Sequence, residues 1–68
     1  MNRLERYRTE KGLTFEMLAK AVGLSKPGVF RHCRGLQAIS GESALLYHIH
    51  LGIPLKDLRP DLYSDKAA

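Results

Sequence analysis

Apolar residues recur along this chain at intervals of three and four, the spacing of a helix face, and nowhere alternate as they would in a half-buried strand. Met1, Leu4, Tyr7 and Arg8 follow such a spacing, and Gly12 is placed to end the run just after Lys11, which predicts a first helix over about 2–11. Thr14 then precedes FEMLAKAV as an N-cap, with Glu16 in the first turn and Phe15, Leu18, Ala19 and Val22 on one face, so a second helix spans 15–22 and stops at Gly23. The next stretch, GLSKPGVFR, places four residues with poor interior helix propensity close together. They read as start signals: Ser25 caps a third helix whose first turn holds Lys26, Pro27 and Gly28, where proline has no intrahelical bond to lose. Val29, His32 and Cys33 make its inward face, Lys26, Pro27, Phe30, Arg31 and Arg34 point elsewhere, and Gly35 ends it.

LQAI is a short connection, and Ser40 begins a fourth helix over about 41–51 with Leu45, Leu46 and Ile49 as its apolar stripe and Gly52 as its stop. Tyr47 and His50 are read as surface or interface residues. Pro54 starts a last short helix with Leu55 and Leu58 turned inward, and Arg59-Pro60 stops it. Leu62 and Tyr63 pack on the domain or on a second subunit, and residues 64–68 fray. The prediction is an all-α bundle of four to five short helices forming one domain over 1–63.

Composition narrows the function. A chain of 68 residues makes one small core, burying about 60% of the surface its unfolded form exposes, so association is a natural source of further stability. Residues 1–35 hold eight basic and three acidic side chains, a net of +5, whereas residues 36–68 hold three and four, a net of −1. With an isoelectric point near 9.6, that asymmetry points to a polyanion. No apolar run approaches the roughly 20 residues that cross a bilayer, and MNRLERYRTEKG lacks the apolar segment of a secretory signal, so a cytoplasmic location is expected. Cys33 alone forms no internal disulfide, and one Cys with three His offers no zinc-finger spacing. His48 and His50 lie about 200° apart on a helix, on opposite faces. Cys33 beside His32 does not make a nucleophile and base, because adjacent helical residues do not face each other. An enzyme, a metal site, a cofactor and a small-molecule substrate are therefore not expected.

At LTFEMLAKAVGLSKPGVFRHCRG, residues 13–35, the chain resembles the helix-turn-helix of the lambda-repressor and Cro-type family, also called the xenobiotic-response-element family. Leu18 and Ala19, Gly23 at the turn, Leu24, Ser25 at the cap, Val29 and Gly35 carry the likeness, and each has a mechanical task. Ala19 is small where the two helices cross, and Val29 locks the second against the first. LERYRTEKGLT resembles the family's first helix and loop, LLYHIHLGIPLKDL its fourth and fifth helices, and LKDLRPDLY the end of small prophage Cro-like and YdaS-type regulators. Two positions depart from the pattern. Phe15 stands where the family often has a phosphate-binding Gln, and His32 where Trp, Ile or Leu is usual; His32 is read as a packed neutral histidine.

The resemblance implies a sequence-specific regulator of double-stranded DNA, a Cro-type repressor that binds a pseudo-palindromic operator as a homodimer. In that docking mode the third helix enters the major groove, and Lys26, Pro27, Gly28, Phe30 and Arg31 face the bases. Arg31 is suited to the O6 and N7 of guanine, Lys26 to a guanine acceptor or a phosphate, Phe30 and Pro27 to a thymine methyl, and side-chain-free Gly28 to close backbone approach. Arg34, Gln37 and the amides around Thr14 and Phe15 are the phosphate candidates. Leu55, Leu62 and Tyr63 are candidates for the dimer contact. The competing reading is a helix-turn-helix interaction module, an antitoxin or adaptor, using Phe30 and Pro27 to bind a protein.

Overall fold

Four polar side chains begin the four longer helices. The computed structural model describes residues 2–63, and in it α1 (Arg3–Lys11), α2 (Phe15–Val22), α3 (Lys26–Arg34) and α4 (Gly41–Leu51) follow Asn2, Thr14, Ser25 and Ser40 in turn. Each of those side chains accepts a hydrogen bond from the amide three residues on, at 2.8 to 3.1 Å, meeting one of the donors that a helix start leaves without a partner. A single turn, α5 (Leu55–Leu58), follows Pro54. The expected bounds hold for α2, α3 and α4, while α1 starts one residue late because Asn2 is its cap. Met1, expected to share the spacing of the first helix, and the fraying of 64–68 lie outside the described residues. Among the described residues there is no strand, and no helix is long and apolar enough to cross a membrane.

The core is assembled from a few side chains per helix: Leu4 from α1, Leu18, Ala19 and Val22 from α2, Val29 and Cys33 from α3, Ala44 and Tyr47 from α4, and Leu58 from α5, with Ile53 from the loop before it. Buried Ala19 lets α2 and α3 pack closely, the role its small size suggested. Tyr7, Leu13, Phe15, Leu24, Ile39, Leu51 and Leu55 close the margin. Behind the bundle, Arg59 donates to the Ile39 carbonyl at 2.6 Å and pairs with Asp61 at 2.6 and 2.9 Å, fastening the chain after α5 to the loop before α4.

The face of α4 corrects the sequence reading. The predicted stripe of Leu45, Leu46 and Ile49 is turned away from the core: Leu45 is 43% and Ile49 68% exposed, and Leu46 is half-buried. Ala44 and Tyr47 are fully buried instead, so Tyr47 is not a surface residue. Two faces of this helix are equally periodic, and the less apolar one wins for two reasons. Ala44 allows close approach to α2, and Tyr47 finds a buried partner for its hydroxyl. That partner is His32 Nδ1, 2.8 Å away, with the two rings edge to face at 5.7 Å.

Burial and the nearby charge of Arg31 hold the His32 imidazole below its ordinary pKa of 6.5, so the packed ring is neutral. The unfolded chain then binds more protons than the folded one below about pH 6.5, and the His32 contribution is fully present above that pH and lost as pH falls toward the folded pKa. Glu5 has a separate window, because its depressed carboxyl loses stability only below its ordinary value of 4.5. Two outcomes are expected in urea unfolding. Tyr47→Phe leaves Nδ1 of His32 without its partner and lowers stability by about 1–3 kcal/mol. In a pH series, stability declines just below about pH 6.5, and His32→Gln flattens that decline while keeping the acidic fall below 4.5; an unchanged slope in the variant rejects His32 as its source.

Candidate nucleic-acid interface

α2 and α3 are joined by Gly23, Leu24 and Ser25, and the outward side of α3 carries the basic residues singled out above. Lys26, Pro27, Phe30 and Arg31 are exposed and, with Leu36, line one open groove of about 560 Å³. Four of the five base-facing candidates are thus brought together. Gly28, half-buried, is not among the lining residues. Its amide donates to the Ser25 hydroxyl at 3.1 Å, and a β-carbon there would lie 3.0 Å from that oxygen, so the missing side chain also leaves the helix cap room.

The phosphate candidates divide. Thr14 is exposed, but its hydroxyl already accepts from the Met17 amide at 3.0 Å. Phe15 is half-buried and meets Phe30 edge to face with centroids 5.2 Å apart. The Arg34 guanidinium lies 5.7 Å from the Phe15 centroid and 5.5 Å from that of Phe30, holding an exposed cation beside the groove. Gln37 is exposed but lines a different cleft, of about 320 Å³, together with Asn2, Arg3, His32 and Asp57, so the structure does not bring it to the groove.

Two residues acquire roles that the sequence reading did not give them. Leu36, 70% exposed, forms a wall of the groove. Gly35 takes φ +70°, a conformation costly for any residue with a β-carbon, and this lets the Leu36 amide donate back to the Arg31 carbonyl at 2.9 Å. An apolar residue directly after a terminating glycine is the signal that could have found it. Arg8, counted there with the basic half, is occupied internally. It donates to both oxygens of Glu5 at 2.6 and 3.0 Å and to the Leu13 carbonyl at 2.8 Å, and its guanidinium covers Phe15 at 4.1 Å. Those hydrogen bonds hold the buried Glu5 carboxyl below the usual carboxylate range. The three-residue spacing of Glu5 and Arg8 was the available clue.

Behind the groove, Asn2 both caps α1 and donates through Nδ2 to the His32 carbonyl at 2.7 Å. Burial pushes the Cys33 thiol up to about 11, which keeps it protonated near neutrality and suits a packing role. Among the described residues no cluster of three His, Cys, Asp or Glu is arranged to hold a metal, and no buried side-chain nitrogen or oxygen lacks a partner.

A family model described as helix-turn-helix matches the chain over residues 4–58. No curated protein and no solved structure matches it.

The roles of Arg8 and of the free cations separate by substitution. Glu5→Gln weakens the paired hydrogen bonds to Arg8 and is expected to cost about 1.5–3 kcal/mol in urea unfolding. Exposed Arg6→Ala changes stability by no more than about 0.5 kcal/mol. Equal effects of the two would reject the structural role of Arg8.

Proposed function

We propose that this chain, which belongs to the helix-turn-helix family of lambda-repressor and Cro type, is a Cro-type repressor that reads a pseudo-palindromic operator with α3 in the major groove. The coarser part, a DNA-binding helix-turn-helix regulator, follows from the family itself. The observation that carries the finer reading is the outward face of α3, where Lys26, Arg31 and Arg34 are exposed around one groove and no carboxylate lines it. Arg31 donates to guanine O6 and N7, Lys26 takes a guanine acceptor or a phosphate, and Pro27 and Phe30 face the bases. Gly28 allows the backbone of α3 close. Arg34, steadied on two aromatic rings, binds a phosphate, with the first-turn amides at Thr14 and Phe15 beside it and Gln37 farther along the strand.

Homodimerisation on DNA belongs to the same reading. Its support is the outer face of α4, where Leu45 and Ile49 stand in water, with Leu62 exposed beside the start of the helix. A β-carbon on Gly41 would touch Leu62 at 3.8 Å, which puts Leu62 beside the first turn of α4. Leu62 is therefore the best placed of the three dimer candidates; Leu55 packs on the core and Tyr63 is half-buried. Such a protein works in the cytoplasm, on the nucleoid.

Selection from a randomised duplex library at near-physiological salt tests both parts. An enriched inverted repeat with half-site centres about 10 bp apart is expected. Arg31→Ala then weakens binding by about ten- to a hundredfold and relaxes preference at one position in each half-site. Retention without any sequence preference, or unchanged preference in Arg31→Ala, rejects the reading.

A further inference from the structure

The groove beside α3 has walls of carbon where a helix that recognised bases by hydrogen bonding alone would carry amides or hydroxyls. Its lining is Pro27, Phe30 and Leu36 between two cations, Lys26 and Arg31, with no Asn, Gln, Ser or Thr and no carboxylate. Phe30 and Leu36 are 39% and 70% exposed, so the bundle leaves part of the Phe30 ring and most of the Leu36 side chain uncovered. The Phe30 ring is held in place, and so is the backbone that carries Leu36. The edge of one phenylalanine ring meets the other at 5.2 Å, and the Leu36 amide is bonded to the Arg31 carbonyl. An occupant of matching chemistry is a polyanion that projects small apolar groups. On the major-groove edges of DNA the only such group is the C5-methyl of thymine. We infer that this groove seats thymine methyl groups, and that this chain distinguishes its operator chiefly by them, with Arg31 and Lys26 taking the guanine or phosphate oxygens on either side. The inference rests on the DNA-binding reading above and adds Leu36 to the specificity-determining residues. An acidic peptide with an apolar side chain would meet the same walls, and the test separates it.

The enriched duplex is synthesised twice, once with thymine and once with deoxyuridine, which removes the methyl and keeps every hydrogen bond of the base pair. Affinity is measured for the unaltered protein, for Phe30→Ala and for Leu36→Ser, the last at a site so exposed that folding is preserved. The uracil duplex is expected to bind about fourfold more weakly for each methyl seated, and both variants shrink that difference. Replacing thymines one at a time then maps the seats. Equal affinity for the two duplexes overturns the inference and leaves DNA binding standing. Full discrimination retained in both variants also overturns it, because the methyl is then read elsewhere. Failure to bind any duplex, with capture of an acidic apolar peptide, overturns the DNA reading along with it.

Discussion

The hydrogen bond between His32 and Tyr47 ties α3 to α4, and the orientation of the outward face of α3 depends on it. α3 has nine residues, too few to be stable alone in water, and it sends only Val29, His32 and Cys33 into the core. Two of those are small. A buried imidazole and a buried phenol would each be costly without a partner, and here each satisfies the other at 2.8 Å. Because the bond is directional, it sets the rotation of α3 against α4 in a way that apolar packing alone does not. Asn2 adds a third element, since the side chain that caps α1 also donates to the His32 carbonyl. Arg31 and Phe30 sit on the next positions of the same turn, so whatever orients His32 also orients them.

Where the helices begin and end was legible because those signals are local. A polar cap and a terminating glycine act on their own few residues, and the Thr14 to Gly23 and Ser25 to Gly35 frames appear as the sequence suggested. The face of α4 was not legible for the opposite reason. Leu45, Leu46 and Ile49 look like a core stripe to any method that ranks side chains by apolarity, yet the decision depends on what α2 and α3 present. α2 accepts a helix that approaches through Ala44, and α3 presents a histidine that needs a hydroxyl. Both facts lie far away in sequence, and the second concerns His32, whose departure from the usual apolar residue is matched by Tyr47.

At the site, position along α3 was enough to gather Lys26, Pro27, Phe30 and Arg31 at one groove, since a single regular helix carries them all. Residues beyond that helix were less readable. Gln37 lies past Gly35, where the chain changes direction, and it ends in another cleft, while Leu36, one residue earlier, returns to the groove through its bond to Arg31. Net charge was a coarser guide still. It counts Arg8 equally with Arg31, although one is bound to Glu5 and the other faces water. A formal charge reports how many cations a half-chain has, and only the fold reports which of them remain for a partner.

Phe15 connects these levels. The ring is covered by Arg8 on one side and meets Phe30 and Arg34 on the others. Phe15 thereby keeps the Arg34 cation beside the groove and meets the Phe30 ring of α3 edge to face. Cations that neutralise phosphates gain from counterion release whatever the sequence beneath them, so on the proposed reading Lys26, Arg31 and Arg34 raise affinity for all DNA alike through that effect. Discrimination has to come from groups indifferent to phosphate. On the proposed reading those are the Arg31 fork at guanine and the apolar walls of Phe30 and Leu36, whose contribution does not fall with salt.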